Sequence, residues 1–342
     1  MIAYWQGWGA RLYYGEKCGR PSEQVFWQMM PRKGVTSVVA ITERSAAPTR
    51  KGRPWRDYLL FLAFIAPNFI LLGIFSYWPL LYQAYLSLTR WDMIAPTKVF
   101  IGANNYRFMF AEPGFHRVLL NTAYFSGAIV IGSLVIGLAL ALLLNQRLRG
   151  RTLVRGIVFA PYVLSGAAVG LVWSYIFDPV YGLMRVILDW FGIGSPDWLV
   201  NTTWAMPAVI IVYLWKNAGY SAIIYLAGLQ NIPNELYDAA KVDGATGWAT
   251  FRYVTLPQLS PTTFFLTVTT IIFSIQAFDI IAVMTEGGPI NATTTLMWYL
   301  YQQGFVAFRA GLAAAAGMVL FVLLLVITLI QVFIVQRRVH YS

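Results

Sequence analysis

One lysine in this 342-residue chain stands where a lysine is costly. Lys216 lies near the middle of an apolar run, 205–229, with Tyr213, Asn217 and Tyr220 around it. At helical spacing these four fall within about 100° of one face. A cation at such a depth turns toward a bundle interior or a wet cavity. The low dielectric there strengthens its attraction for an anion such as a phosphate. Three uses fit the residue: lining a translocation path, pairing with a structural partner such as Asp279 on the next apolar run, or snorkelling to an interface. Thr263, Thr267, Thr270 and Ser274 recur on that next run at intervals of four, three and four residues. Thr270, Ser274 and Asp279 are candidates for the same path, although hydroxyls in such a stripe more often bond their own helix or a neighbouring one.

Other chemistry has little to work with. The single cysteine, Cys18, excludes an internal disulfide or a cysteine metal cluster, and there are only two histidines, His116 and His340. No G-x-x-x-x-G-K-[ST] segment is present to cradle nucleotide phosphates. No Ser/His/Asp set suited to acyl transfer is evident either. These residues leave an enzyme little to work with.

The elements that must carry Lys216 are membrane spans. Hydrophobic residues make up 58% of the chain and charged residues 11%, against about 25% charged in soluble domains. Residues 58–89, 118–146 and 311–336 contain no Asp, Glu, Lys or Arg, and about 20 apolar residues suffice to cross a bilayer as a helix. An all-α polytopic protein with six spans follows, at about 59–86, 118–144, 157–177, 205–229, 261–284 and 311–335. Pro67 and Pro79 interrupt the first. A net charge of +11 fits basic residues at membrane-flanking ends and lacks the basic groove with interleaved aromatics that nucleic acid requires. Residues 1–56 carry ten of the 25 Lys and Arg and no long apolar run. They read as a cytoplasmic tail, partly disordered and without a signal peptide; Met30 is an alternative start.

Basic residues also set the orientation. Eighteen lie in the N-terminal tail, the 146–155 and 230–258 connections and the C-terminal end, against six in the opposite connections. The positive-inside rule then puts both termini in the cytoplasm, and with them the stretch "ELYDAAKVDGATGWATFRYVTLPQ" between spans four and five. Pro233 and Asn234 start a helix there, with Glu235 and Asp238 in its favourable first turn. Leu236, Ala239, Ala240 and Ala245 keep its surface small, and Gly244 permits a close approach or a kink. Trp248, Phe251 and Val254 form a second apolar stripe, and Pro257 ends the run. The element has too little apolar area for a core helix and is shaped to dock.

Asp238-Ala239-Ala240, three residues, Gly244, nine residues, then Val254-Thr255-Leu256-Pro257 resembles the EAA loop of ABC importer permeases, with Asp238 for the usual Glu and Val254 for the usual Ile. "FAPYVLSGAAVGLVWSYIFDPVYGL" (159–183), "WKNAGYSAIIYLAGLQNIP" (215–233) and "FDIIAVMTEGGPINATTTLMWYLYQQGF" (278–305) resemble the carbohydrate-type, maltose-permease-like members. The likeness spans about 57–338. Within that group "GGPINATTTL" and "QRRVHY" are most similar to the A-type permease of glycerol-3-phosphate and glycerophosphodiester importers.

The resemblance implies the type I ABC importer permease fold in a bacterial plasma membrane, with loop 235–257 as a coupling helix docked on an ATPase through Glu235, Asp238, Ala239, Ala240, Gly244, Leu256 and Pro257. It implies as partners a second related permease, an ATPase dimer that holds ATP and magnesium, and an extracytoplasmic substrate-binding protein. This chain would hold no cofactor of its own. The implied cargo is glycerol-3-phosphate or its diester, with a sugar or oligosaccharide as the alternative. An ion-gradient-driven secondary transporter is the alternative of another class, and the 238–257 motif argues against it. Cysteines placed at Asp189 and at Arg149 should react with impermeant thiol reagents from opposite faces; labelling of both from one face would overturn the orientation.

Overall fold

The computed structural model describes residues 55–146 and 150–335. The tail expectation for 1–54, Arg147 and Arg149, and the basic C-terminal end lie outside them. The chain divides into two units, residues 1–64 and 65–342, and the packing below belongs to the second.

Among the described residues five helices are long and apolar enough to cross a membrane, six if one bent pair counts as a single span. Span one runs as Trp55–Leu72, a π-helical turn Gly73–Tyr77, and Trp78–Ser87. Span two is Pro113–Leu144, its extended Glu112 cap followed by proline at the first helical position, where no N–H is needed. Span three is the bent pair, Arg151–Val163 and Gly166–Ile176, folded by 97° at Leu164–Ser165. Span four is Ala205–Gln230, span five Ser260–Ile275 continued by Asp279–Met284, and span six Ala310–Ile330. Among the described residues the regular structure is helical apart from two-residue strands, Thr89–Arg90 and Val99–Phe100, paired antiparallel after span one. Short helices at Asn104–Ala111, Leu183–Trp190 and Leu296–Tyr301 also sit in the connections.

Three prolines behave differently from the sequence expectation, and the first, Pro67, sits inside the unbroken helix Trp55–Leu72. Pro257 does not end its segment: the helix runs Gly247–Thr250, π turn Phe251–Thr255, Leu256–Gln258, and on into span five at Ser260. Pro79 likewise follows the π turn Gly73–Tyr77. In both places the residue just before the proline donates its N–H five residues back, Trp78 to the Gly73 carbonyl and Leu256 to the Phe251 carbonyl. A proline ring crowds the carbonyl four residues back. Slipping the ladder by one residue widens that turn and lets the helix continue.

Spans two and four form the centre. Phe125 and Ile129 of span two meet Val209 and Val212 of span four and Ile280 and Ile281 of the helix after span five. A second cluster joins Met109 and Phe115 to Leu296, Leu312 and Ala315. A third joins Ala141 and Leu144 to Tyr225, Leu229, Leu259 and Leu266. Small residues set the approach of the helices, as expected where lipid removes the hydrophobic drive between them. The small residues and Leu312 of 311–317 are buried throughout, and Gly170 packs on Val283 and Met284. At Gly219 a Cβ would overlap the Val158 carbonyl of span three, and backbone cannot swing aside. Gly219→Val should therefore cost about 1–3 kcal/mol and lower the melting temperature of the detergent-purified protein. Gly127→Ala, with nothing within 4 Å of the added carbon, should not.

Candidate translocation cavity and loop helix

Lys216 lines a cavity of about 460 Å³ where two spans are interrupted at the same place. Span four supplies Tyr213, Lys216 and Asn217; span three supplies Tyr162; the break in span five supplies Gln276, Phe278 and Asp279. A narrower cleft continues from it past Tyr220, Ser221, Ser133 and Thr270. The structure thus brings together Tyr213, Lys216, Asn217 and Asp279, with Tyr220 and Thr270 in the adjoining cleft. Ser274 is not brought there: it is buried, with its hydroxyl donating to the Ile271 carbonyl at 3.0 Å. The rest of the stripe serves helix contacts. Thr267 donates to the Thr263 carbonyl, and the Thr263 hydroxyl accepts from Tyr225 of span four.

The role of Lys216 follows from the break in span three. Pro161, then the extended Leu164 and Ser165, stop the first half-helix at Val163, leaving its last carbonyls without helical partners. Lys216 Nζ donates to the Tyr162 carbonyl at 3.2 Å and lies 5.5 Å from the Tyr162 ring centre. A cation therefore caps the negative end of that half-helix. The second half-helix starts at Gly166, against which the Asp279 carboxylate packs so closely that a Cβ there would overlap Oδ2. A carboxylate thus lies at the positive end of an 11-residue helix, while its Oδ1 accepts the Ile280 N–H at 2.9 Å. The Lys216–Asp279 ion pair left open by the sequence is not formed within 4 Å among the described residues. The two charges serve opposite ends of one broken helix. Tyr213 donates to the Phe273 carbonyl, Asn217 to the Tyr213 carbonyl, and Tyr220 stacks on Tyr162 at 4.8 Å, so aromatic and amide groups hold the walls.

Sequence reasoning missed Tyr162, Phe273, Phe278 and Gly166. The available signal was the sequence Pro161-Tyr162-Val163-Leu164-Ser165-Gly166 inside an apolar run: a proline and a Ser-Gly pair that together predict a break.

In the loop between spans four and five, Asn234–Val242 is helical. Its inner face is Tyr237, packed on the third cluster, and Ala240, which is buried. Ala240 is therefore not part of the outer surface expected of it. Glu235, Asp238 and Ala239 are exposed, as are Leu236, Val242, Trp248 and Tyr253. The shorter Asp238 pairs with Lys241 one turn on, at 2.8 Å and in the open, a contact worth about 0–1 kcal/mol. Gly244 has a different role from the close approach expected: nothing lies within 4 Å of a Cβ there, but its φ is +72°. Gly244 N–H bonds the Lys241 carbonyl and Ala245 N–H the Ala240 carbonyl. This is the Schellman ending, in which the left-handed residue is usually glycine. Leu256 and Pro257 are half-buried in the continuing helix.

A polytopic helical protein with a charged central cavity and a solvent-facing loop helix has the architecture of a transport component. The family model for the inner membrane component of binding-protein-dependent transport systems matches residues 133–340, and the chain belongs to that family. It is 34% identical over 279 residues to the sn-glycerol-3-phosphate transport system permease protein UgpA of Agrobacterium fabrum, covering 81% of this chain and 95% of the relative. It is also 34% identical to a probable ABC transporter permease protein of Pyrococcus horikoshii, covering 80% of this chain and 94% of that one. Among solved structures it is similar to a chain of a bacterial ABC transporter that imports the acidic polysaccharide alginate. There the TM-score is 0.71 and the identity 30%, over 83% of this chain and 96% of the other. The protein is an ABC importer permease of the inner membrane, a transport component and not an enzyme.

If Lys216 caps the broken helix, Lys216→Met should lower thermal stability by about 1–2 kcal/mol. Adding Asp279→Asn should not restore it, the two losses summing because the charges have separate partners. Restoration in the double variant, read from melting curves, would show a direct pair instead.

Proposed function

We propose that this chain forms half of the translocation path of an ATP-driven importer, beside a second related permease. Its loop helix would dock on an ATPase dimer, both termini would be cytoplasmic, and a substrate-binding protein would deliver solute from outside. The observation that carries the proposal is the split of the loop helix into an anchored inner face and an exposed outer one. Tyr237 fastens it to spans two, four and five through the third cluster, with Ala240 buried on the same side, while Glu235, Leu236, Ala239 and Val242 face out. A displacement of that outer face is passed into the spans around the central cavity, which is what alternating access requires of an ATP-coupled permease.

The best-supported cargo is glycerol-3-phosphate or a glycerophosphodiester; a sugar or oligosaccharide is the second reading. The sn-glycerol-3-phosphate relatives at 32–34% identity support the first. The alginate transporter, one of whose structures holds a pentasaccharide-bound periplasmic protein, supports the second. Glycerol-3-phosphate and the acidic polysaccharide alginate are both hydroxylated anions, and the cavity offers amide, phenol and ammonium donors to such a molecule.

Gly244 provides the test of coupling. Gly244→Asn keeps access to the left-handed conformation and should leave solute-stimulated ATP hydrolysis by the assembled complex near normal. Gly244→Val, which cannot hold that φ without strain, should reduce it severalfold while the protein still inserts. Equal activity of the two variants would remove the loop helix from the coupling role. Uptake of labelled glycerol-3-phosphate against labelled oligosaccharide by the same complex separates the two cargo readings.

A further inference from the structure

A second cavity lies apart from the central one. It measures about 620 Å³ and lies at the far end of spans one and six from the loop helix, lined by Arg90, Trp91, Asp92, Asn105, Phe308 and Arg309 among others. None of its lining residues is shared with the central cavity.

Its walls are fastened by hydrogen bonds. Asn105 Nδ2 donates to the carbonyls of Ser87 and Thr89, both at 2.8 Å, and Tyr106 donates to the Ser87 hydroxyl. Ala310 N–H bonds the Trp91 carbonyl at 2.9 Å, tying span six to the hairpin. Phe308 holds a φ of +53°, a conformation costly for a bulky residue, and so fixes the chain's entry into Arg309. The wall is therefore built before any ligand arrives.

Cations outnumber carboxylates in its lining; Arg309 also borders an adjoining cavity that holds Glu112. Arg90 and Arg309 are exposed, and neither side chain makes a hydrogen bond or ion pair among the described residues. The one carboxylate in the lining, Asp92, is already engaged: it accepts the Ile94 and Ala95 N–H groups of its own turn at 3.0 and 2.8 Å. Those bonds, Ala95 first, hold its carboxyl below the usual range and keep it ionised. Lys98 adds a third cation nearby, lying over the Trp91 and Tyr82 rings. Around the mouth, Ile94, Phe108 and Phe308 are exposed apolar side chains, and Trp78 and Tyr85 are exposed on the adjoining last turns of span one. Aromatics so placed mark the membrane–water boundary.

We infer that this cavity is a binding site for a phosphate-class oxyanion, held between the Arg90 and Arg309 guanidinium groups at the membrane surface. Two planar forks from two separate elements suit a tetrahedral group with three or more acceptor oxygens; a carboxylate is satisfied by one fork. The phosphate belongs either to a lipid headgroup, whose chains would lie along the apolar rim, or to a dissolved solute.

The test uses the assembled complex, stripped of lipid in detergent and titrated with inorganic phosphate by calorimetry. Arg90→Gln with Arg309→Gln should weaken binding about tenfold or more. Arg185→Gln, an exposed arginine paired with Asp189, should not. Arg90→Lys with Arg309→Lys keeps the charge without the forks and should give an intermediate affinity, so the inference stays testable if the glutamine pair misfolds. In parallel, native mass spectrometry counts phosphatidylglycerol retained from phosphatidylcholine nanodiscs doped with that lipid. Retention by the wild type and loss in the glutamine pair assigns the site to lipid. Weakened phosphate binding with equal lipid retention assigns it to a dissolved phosphate. Unchanged phosphate affinity in the arginine variants, or an equal loss in Arg185→Gln, overturns the inference. So does a defect confined to capture of a binding protein, which would make the arginines a protein contact.

Discussion

A helix broken inside a membrane opens backbone groups that water cannot reach, and the centre of this molecule is organised by that problem. Span three stops at Val163 and restarts at Gly166. Hydrocarbon tolerates such an opening only where protein or a wet cavity receives it. Here span four brings an ammonium to the end that presents carbonyls, and the segment after span five brings a carboxylate to the end that presents N–H groups. The cavity exists because these three elements must meet there. The costly charges at 216 and 279 are thereby explained without invoking a solute.

The same economy governs the loop helix. Its inner residues are few, Tyr237 and the buried Ala240, yet Tyr237 packs on a cluster that reaches spans two, four and five. Tyr237 also lies within hydrogen-bond distance of Thr255, at 3.4 Å, in the π turn that leads into span five. A short helix with little apolar area is thus rigidly attached at one face while the other stays open. One element is packed on the bundle through one face and exposed on the other.

Much of this was legible in the sequence because bilayer thickness is a severe constraint. Uncharged runs of the right length located the spans, and the mid-span lysine and the loop motif marked the two places of interest. What was not legible came from interactions between elements. The carbonyl of Tyr162 became the partner of Lys216 only through a fold that brings spans three and four together, and no spacing in one segment reveals that. Gly244 stands out in the sequence for its size, whereas its φ of +72° is what the structure uses. Ala240 reads as surface in a motif and is buried in the fold. A rule about regular α-helices makes Pro257 a stop, and the helix at that point is not regular.

That irregularity has a consequence for how such a chain can vary. Each residue of an α-helix turns the chain by about 100°, so a turn that takes in one extra residue rotates everything beyond it relative to an unbroken ladder. The π turn before Pro257 sets the angular position of span five, and with it the alignment that puts Thr263 against Tyr225 of span four. The turn before Pro79 does the same for the last turns of span one, which carry Trp78, Tyr82 and Tyr85. These prolines act as phase marks: gain or loss of one, with a single residue inserted or deleted beside it, re-aims a whole helix face while leaving its composition untouched.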